Sequence, residues 1–171
     1  GTETGSGAEG GTKDTLTIAQ GADPVSLDPY GTTDTPAIRV ASCIFETLVT
    51  RDDNGEIAPG LAESWEIVDD TTYVFHLRQG VKFHNGEELK ASDVAFSFSK
   101  IAESPHASSI RATIDFENSK AVDDYTFEMK MTEPFGPILN HLGHAVMAIV
   151  NEKAYTEAGD AVGQNPVGTG P

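Results

Sequence analysis

Five histidines, one cysteine and a surplus of carboxylates are the side chains from which this 171-residue chain would have to build any chemistry. His141 and His144 stand three residues apart at a segment, Pro137 to Leu142, that reads as the start of a helix. Two rings at that spacing share a helix face and are close enough to hold one metal ion. A pair alone is a weak motif. No third ligand neighbours it in sequence, and neither an H-E-x-x-H run nor a cysteine pair occurs. The expectation is two solvent-facing or capping histidines and no metal site. Serines and carboxylates are plentiful, but none sits in a nucleophile elbow, and Gly168-Thr169-Gly170 lacks the lysine of a phosphate-binding loop. That glycine pair reads as a turn. Cys43 is the single cysteine, which leaves no intrachain disulfide framework and no cysteine zinc site. Between Val40-Ala41-Ser42 and Ile44-Phe45 it is expected to be a buried small hydrophobe. The chain is expected to bind rather than catalyse, with no catalytic residue and no cofactor. A histidine-dependent metallohydrolase is the reading from another class, and it requires a zinc-dependent activity that His141→Ala abolishes.

Composition narrows the partners. Eleven basic residues against 27 acidic ones give a net charge of −16, which repels phosphate backbones and anionic head groups. Neither nucleic acid nor a membrane surface is expected as a partner. A hydrophobic share of 38% with 22% charged residues suits a globular chain with a core. No stretch is long and apolar enough to span a membrane. Residues 1–14, GTETGSGAEGGTKD, cannot bury enough apolar area to offset their ordering entropy and are expected to form a flexible tether.

The elements follow from periodicity. Leu16-Thr17-Ile18-Ala19 alternates as a short strand, and Asp23 to Tyr30 is a turn-rich loop with two prolines. Thr35-Pro36 opens a helix whose apolar face is Ile38, Ala41, Ile44, Phe45 and Leu48. Asp52-Asp53-Asn54-Gly55 is a turn. Trp65, Ile67 and Val68 form a strand, and Asp69 to Thr72 turn the chain. Tyr73, Phe75 and Leu77 then alternate with Val74, His76 and Arg78 as an antiparallel partner. Gly80 interrupts this strand, Val81-Lys82-Phe83 resumes it, and Asn85-Gly86 is a tight turn. Ser92 before Asp93-Val94-Ala95-Phe96 predicts a helix N-cap, and Pro105 predicts that helix's end. Residues Ile110 to Phe116 fit no single pattern. Tyr125, Phe127, Met129 and Met131 form a strand with one wet face, and Ala145 to Val150 reads as a buried strand. Asn151 to Tyr155 starts a last helix that Gly159 closes. The fold class is mixed α/β, a lobe with helices covering a sheet.

One stretch is more specific than its elements. Gly60 to Phe98 carries LAESW, then the alternation ending in LR-G-VKFH-G, then the D-V-A-F-S start of a helix. In that order and at that spacing it resembles the signature segment of the extracellular solute-binding proteins of ABC importers, in the peptide/nickel-binding family 5. Ser26-Leu27-Asp28-Pro29 and Asn165-Pro166-Val167-Gly168-Thr169-Gly170-Pro171 extend the resemblance across nearly the whole chain after Asp14.

The resemblance implies a lobe of type II periplasmic-binding-protein kind with an inserted subdomain, belonging to an N-terminal fragment whose second lobe is missing. By that comparison residues 1–14 are the tether, 15–47 the start of lobe I, 48–159 the inserted subdomain and 160–171 the return into lobe I. It implies a receptor that captures peptides outside the cell and delivers them to an ABC permease by lobe closure. A nickel or other small-solute receptor of the same family is the alternative. Location would be the outer face of the cell membrane, lipid-anchored as in Gram-positive members, or the periplasm. Backbone groups near Val25 and Ser26 would pair with an extended ligand, and His106 would touch ligand as an aromatic residue does in the matching segment. Lobe surface bared in such a fragment would favour self-association.

Overall fold

Phe75 and Leu77 alternate with less buried neighbours, and so do Phe127, Met129 and Met131. Two such strands side by side give a sheet with one dry face. In the computed structural model, which describes Thr15 and residues 17–171, they are the two central strands of a four-stranded antiparallel sheet. In chain order the helices are α1 (Thr35–Ile44), α2 (Ala91–Glu103), α3 (Ser108–Arg111), α4 (Ile138–Leu142) and α5 (Glu152–Ala158). The strands are β1 (Val49–Arg51), β2 (Ile57–Pro59), β3 (Ala62–Asp69), β4 (Thr72–Leu77), β5 (Ile114–Asp123) and β6 (Thr126–Met131). The larger sheet runs β3-β4-β6-β5, and β1 pairs with β2 in a separate hairpin. Register places Phe75 opposite Trp65 on one side and Phe127 on the other, and Ala121 opposite Phe127. One row of apolar side chains therefore crosses the sheet.

Helix α2 covers that dry face. Val94, Phe98 and Ile101 recur at helical spacing and are buried. The Phe98 ring meets Phe127 edge-on at 4.7 Å and Phe116 at 5.9 Å, the geometry in which aromatic pairs attract beyond their buried area. The opposite face is wet, with Glu66, Val74, Glu128 and Lys120 in cross-strand register.

Five expectations need correction. Thr17–Ala19 form no strand, and Ile18 is 72% exposed. An alternating run becomes a strand only where another strand offers its edge, and none does among the described residues. Leu16 and the tether lie outside them. Val81–Phe83 make only an isolated bridge, Lys82 to Glu88, around the Asn85-Gly86 turn. Ser92 is not the N-cap of α2. Lys90 occupies that position, and the Asp93 carboxylate accepts its backbone N–H at 3.0 Å. Ala145 to Val150 is buried as expected but forms a 3₁₀ turn and then an irregular run, not a strand. Its amides find single partners instead of a ladder: Ile149 donates to the Glu46 carbonyl at 2.9 Å and Val150 to Ser97 Oγ at 2.9 Å. Cys43 is exposed, because α1 turns Ala37 and Ala41 inward and leaves Cys43 on its outer side. The ambiguous run from Ile110 to Phe116 divides between α3 and the start of β5.

Phe127 has no exposed surface, so Phe127→Ala should cost about 3–5 kcal/mol through lost burial and the cavity left behind. Val122→Thr, on an exposed position of β5, should stay within about 0.5 kcal/mol of the parent. Urea midpoints of the two variants test the assignment of the dry face.

Candidate functional site

The Asn85-Gly86 turn needs a left-handed residue, and Gly86 supplies it at φ 85°. This turn projects His84 from the hairpin toward the C-terminal segment. The His84 amide donates to the Gly168 carbonyl at 2.9 Å. Its ring meets the same segment twice: the Gly168 N–H reaches Nδ1 at 3.2 Å, and Nε2 lies 2.6 Å from the Gly170 carbonyl oxygen. From the other side, Gly170 donates to the Ile44 carbonyl at the end of α1, at 2.9 Å. Thr169 Oγ donates to Glu46 at 2.6 Å. A Cβ on Gly168 would fall 2.0 Å from the Ile44 oxygen, and one on Gly170 would fall 2.2 Å from the Cys43 oxygen. Both obstacles are backbone, so only glycine fits. The G-T-G read from sequence as a turn is a main-chain splint between the hairpin and α1.

Beside that splint lies a groove of about 690 Å³. Ile38, Ala41 and Ser42 of α1 line it, with Phe45 just after that helix. Gly60, Arg78, His144, Ala145, Gly170 and Pro171 line it as well. Arg78 Nε donates to the Gly60 carbonyl at 2.8 Å. A narrower crevice continues past Ile38, Ala41 and His144 to Ser26 and Asp28. The Ser26-Leu27-Asp28-Pro29 loop is held by one internal hydrogen bond and from two outside directions. Leu27 donates to the Gly163 carbonyl at 3.0 Å, Ser26 Oγ accepts the Asp28 N–H at 3.1 Å, and the Tyr155 hydroxyl of α5 reaches Asp28 at 3.2 Å. Burial, then the Asp28 carboxylate, hold the Tyr155 hydroxyl well above the ordinary phenol range, which keeps it a donor.

The residues singled out from sequence fall in different places. Ser26 borders the crevice. Val25 next to it is 78% exposed, and neither residue's main-chain N–H has a hydrogen-bond partner among the described residues. His106 is exposed in the 3₁₀ turn Pro105–Ala107 and lines neither concavity. His141 packs edge-on against Phe135 at 5.1 Å, and His144 Nδ1 accepts the Val146 N–H at 3.3 Å. Among the described residues no three His, Cys, Asp or Glu side chains gather as a metal cluster.

Sequence reasoning missed Asp93. Beyond its bond to Lys90, its carboxylate accepts the Glu152 N–H at 3.0 Å and the Asn151 side-chain amide at 3.3 Å. One buried side chain thus caps the N-termini of α2 and α5 together. Its signal, an acid in the first turn of α2, was visible in sequence; its partner 59 residues away was not. Burial, with Glu152 and Glu87 nearby, raises its carboxyl above the usual range despite these bonds.

Comparison with known proteins gives concordant matches. The model for bacterial extracellular solute-binding proteins, family 5, middle region, matches residues 56–171. The periplasmic oligopeptide-binding protein OppA of Haemophilus influenzae is 32% identical over 180 residues, covering 92% of this chain and 33% of OppA. The periplasmic binding protein DppA of Helicobacter pylori, solved in complex with the peptide STSA, superposes with a TM-score of 0.76. That match has 34% identity and covers 88% of this chain and 34% of DppA. MoaA of A. tumefaciens R10, solved with mannopinic acid, superposes at a TM-score of 0.79 with 31% identity, over 87% of this chain and 32% of MoaA. The chain spans about a third of the length of these relatives.

Two measurements test this geometry. Gly170→Ala should destabilise the fold by about 1–3 kcal/mol, since the backbone oxygen it meets cannot step aside. Gly136→Ala, with open space around it, is the control and should be near neutral. For Asp93, a carboxyl whose folded pKa lies above its unfolded one binds more protons in the folded state, so its contribution falls as pH rises. The parent should therefore lose stability relative to Asp93→Asn as pH rises through the carboxylate range, measured as the difference in urea midpoints.

Proposed function

Because this chain belongs to the bacterial extracellular solute-binding proteins, family 5, we propose that it is the ligand-facing part of a receptor that captures peptides outside the cytoplasm. The receptor then delivers them to the permease of an ABC importer. The observation that carries the peptide reading is the Val25–Ser26 edge. Its N–H groups are unpaired among the described residues, while Leu27, one residue on, is pinned to Gly163. A loop fixed at one end, with main-chain donors left free beside it, offers an extended peptide main chain groups to pair with. Likeness to OppA and to DppA bound to STSA supports the same ligand class.

The proposed division of the chain follows its contacts. All four strands of the larger sheet fall within 48–159, which suits an inserted subdomain. Residues 160–171 return to the first part of the chain at Leu27 and Ile44, as two ends of one lobe would. Ligand is then gripped by closure of this lobe against a second one. His106, exposed and outside the groove, would reach a ligand only from the rim. Residues 1–14 would tether the receptor to a lipid anchor at the membrane. Likeness to MoaA bound to mannopinic acid favours a second reading, a small polar solute in the same groove.

Native mass spectrometry of the protein as purified, followed by titration calorimetry with Ser-Thr-Ser-Ala, separates the two. The peptide reading predicts a ladder of peptide adducts and a saturable heat of binding. Adducts of one small-solute mass, with no peptide heat, would overturn it in favour of the second reading.

A further inference from the structure

Gly170 and Pro171 line the groove, and beside the main-chain bonds to Ile44 and His84 one side-chain ring holds their segment twice. Gly168 presents an N–H to His84 Nδ1 at 3.2 Å, so Nδ1 must be the unprotonated nitrogen. Nε2 lies 2.6 Å from the Gly170 carbonyl oxygen, which can only accept, so Nε2 must carry the proton. The two contacts demand opposite roles from the two nitrogens, and only one of the three protonation forms of imidazole meets both. The Nδ1–H tautomer would oppose two donors at Gly168 and two acceptors at Gly170. The doubly protonated ring would keep Gly170 and lose Gly168.

We propose that His84 is a positioning residue for the groove: as the Nε2–H tautomer its ring clasps Gly168 and Gly170 and so sets the wall that Gly170 and Pro171 present. It touches no ligand itself.

The meaning of the clasp for binding rests on the peptide-receptor reading; its existence does not, and it is tested without ligand. Long-range ¹H–¹⁵N correlation spectra of the labelled protein near neutral pH should show His84 with Nε2 protonated and Nδ1 as an acceptor. His84→Ala should shift the resonances of Gly170, Ile38 and Ala41 and leave those of β4 and β6 in place. His84→Asn keeps an acceptor near the Nδ1 position and should return the Gly168 amide toward its parent shift. An Nδ1–H or doubly protonated ring in these spectra, or an unshifted Gly170 in the alanine variant, would each overturn the proposal. The parent and asparagine spectra decide the matter even if the alanine variant fails to fold. A protein that binds no peptide yet shows the tautomer would retain the clasp and lose only the peptide reading.

Discussion

Where α1 ends, its last carbonyls have no partner within the helix, and the structure is arranged around what comes to meet them. Gly170 approaches the carbonyls of Cys43 and Ile44, and Gly168 that of Ile44, closer than any side chain would permit. Gly60 does the same at Thr47, where a Cβ would fall 2.5 Å from the backbone oxygen. Three glycines from two distant parts of the chain therefore converge on one short stretch. Phe45 satisfies its own N–H by bonding back to Ala41, and Gly170 takes the Ile44 carbonyl. This contact brings the last residues of the chain beside α1, and the groove is the space left between them. Asp93 plays the corresponding part on the other side of the core, where one carboxylate fixes α2 and α5.

Much of this was legible, and the unread parts share a cause. The β3–β4 hairpin, the turn after β1, helices α1, α2, α4 and α5, and strand β6 were readable because each carries its own local signal: alternation, a turn dipeptide or a capped apolar face. Strand β5 was not. From Glu117 to Lys120 its sequence is polar without alternation, and its pairing with β6 is interrupted between Asp115 and Lys120. It is a strand because β6 offers an edge, which is information held elsewhere in the chain. Ala145 to Val150 failed in the opposite direction. Its apolar character announced burial correctly, but backbone conformation was decided by single acceptors, the Glu46 carbonyl and Ser97 Oγ, that no window around it contains.

The groove followed the same rule. Its parts were visible as motifs: Ser-Leu-Asp-Pro, the glycine before LAESW, the VKFH hairpin and the closing G-T-G. What joins them was not, because hydrogen bonds such as those between the His84 ring and Gly168 and Gly170 span 84 and 86 residues. The resemblance to family 5 supplied the functional class, and the structure supplies a physical reason for the motif's histidine. Cys43 is the instructive reversal. Apolar neighbours argued for burial, yet on a helix a residue shares its face with those three or four away, not with the adjacent ones.

Native-state hydrogen exchange tests most directly whether the return of the chain onto α1 belongs to the fold's cooperative structure. If it does, the amides of His84 and Gly170 exchange with the same free energy as those of Phe75 and Phe127 in the centre of the sheet. Exchange of His84 and Gly170 at a far lower free energy, with the sheet still protected, would contradict the account. The return segment would then be an appendage, and the groove beside it would have no fixed wall.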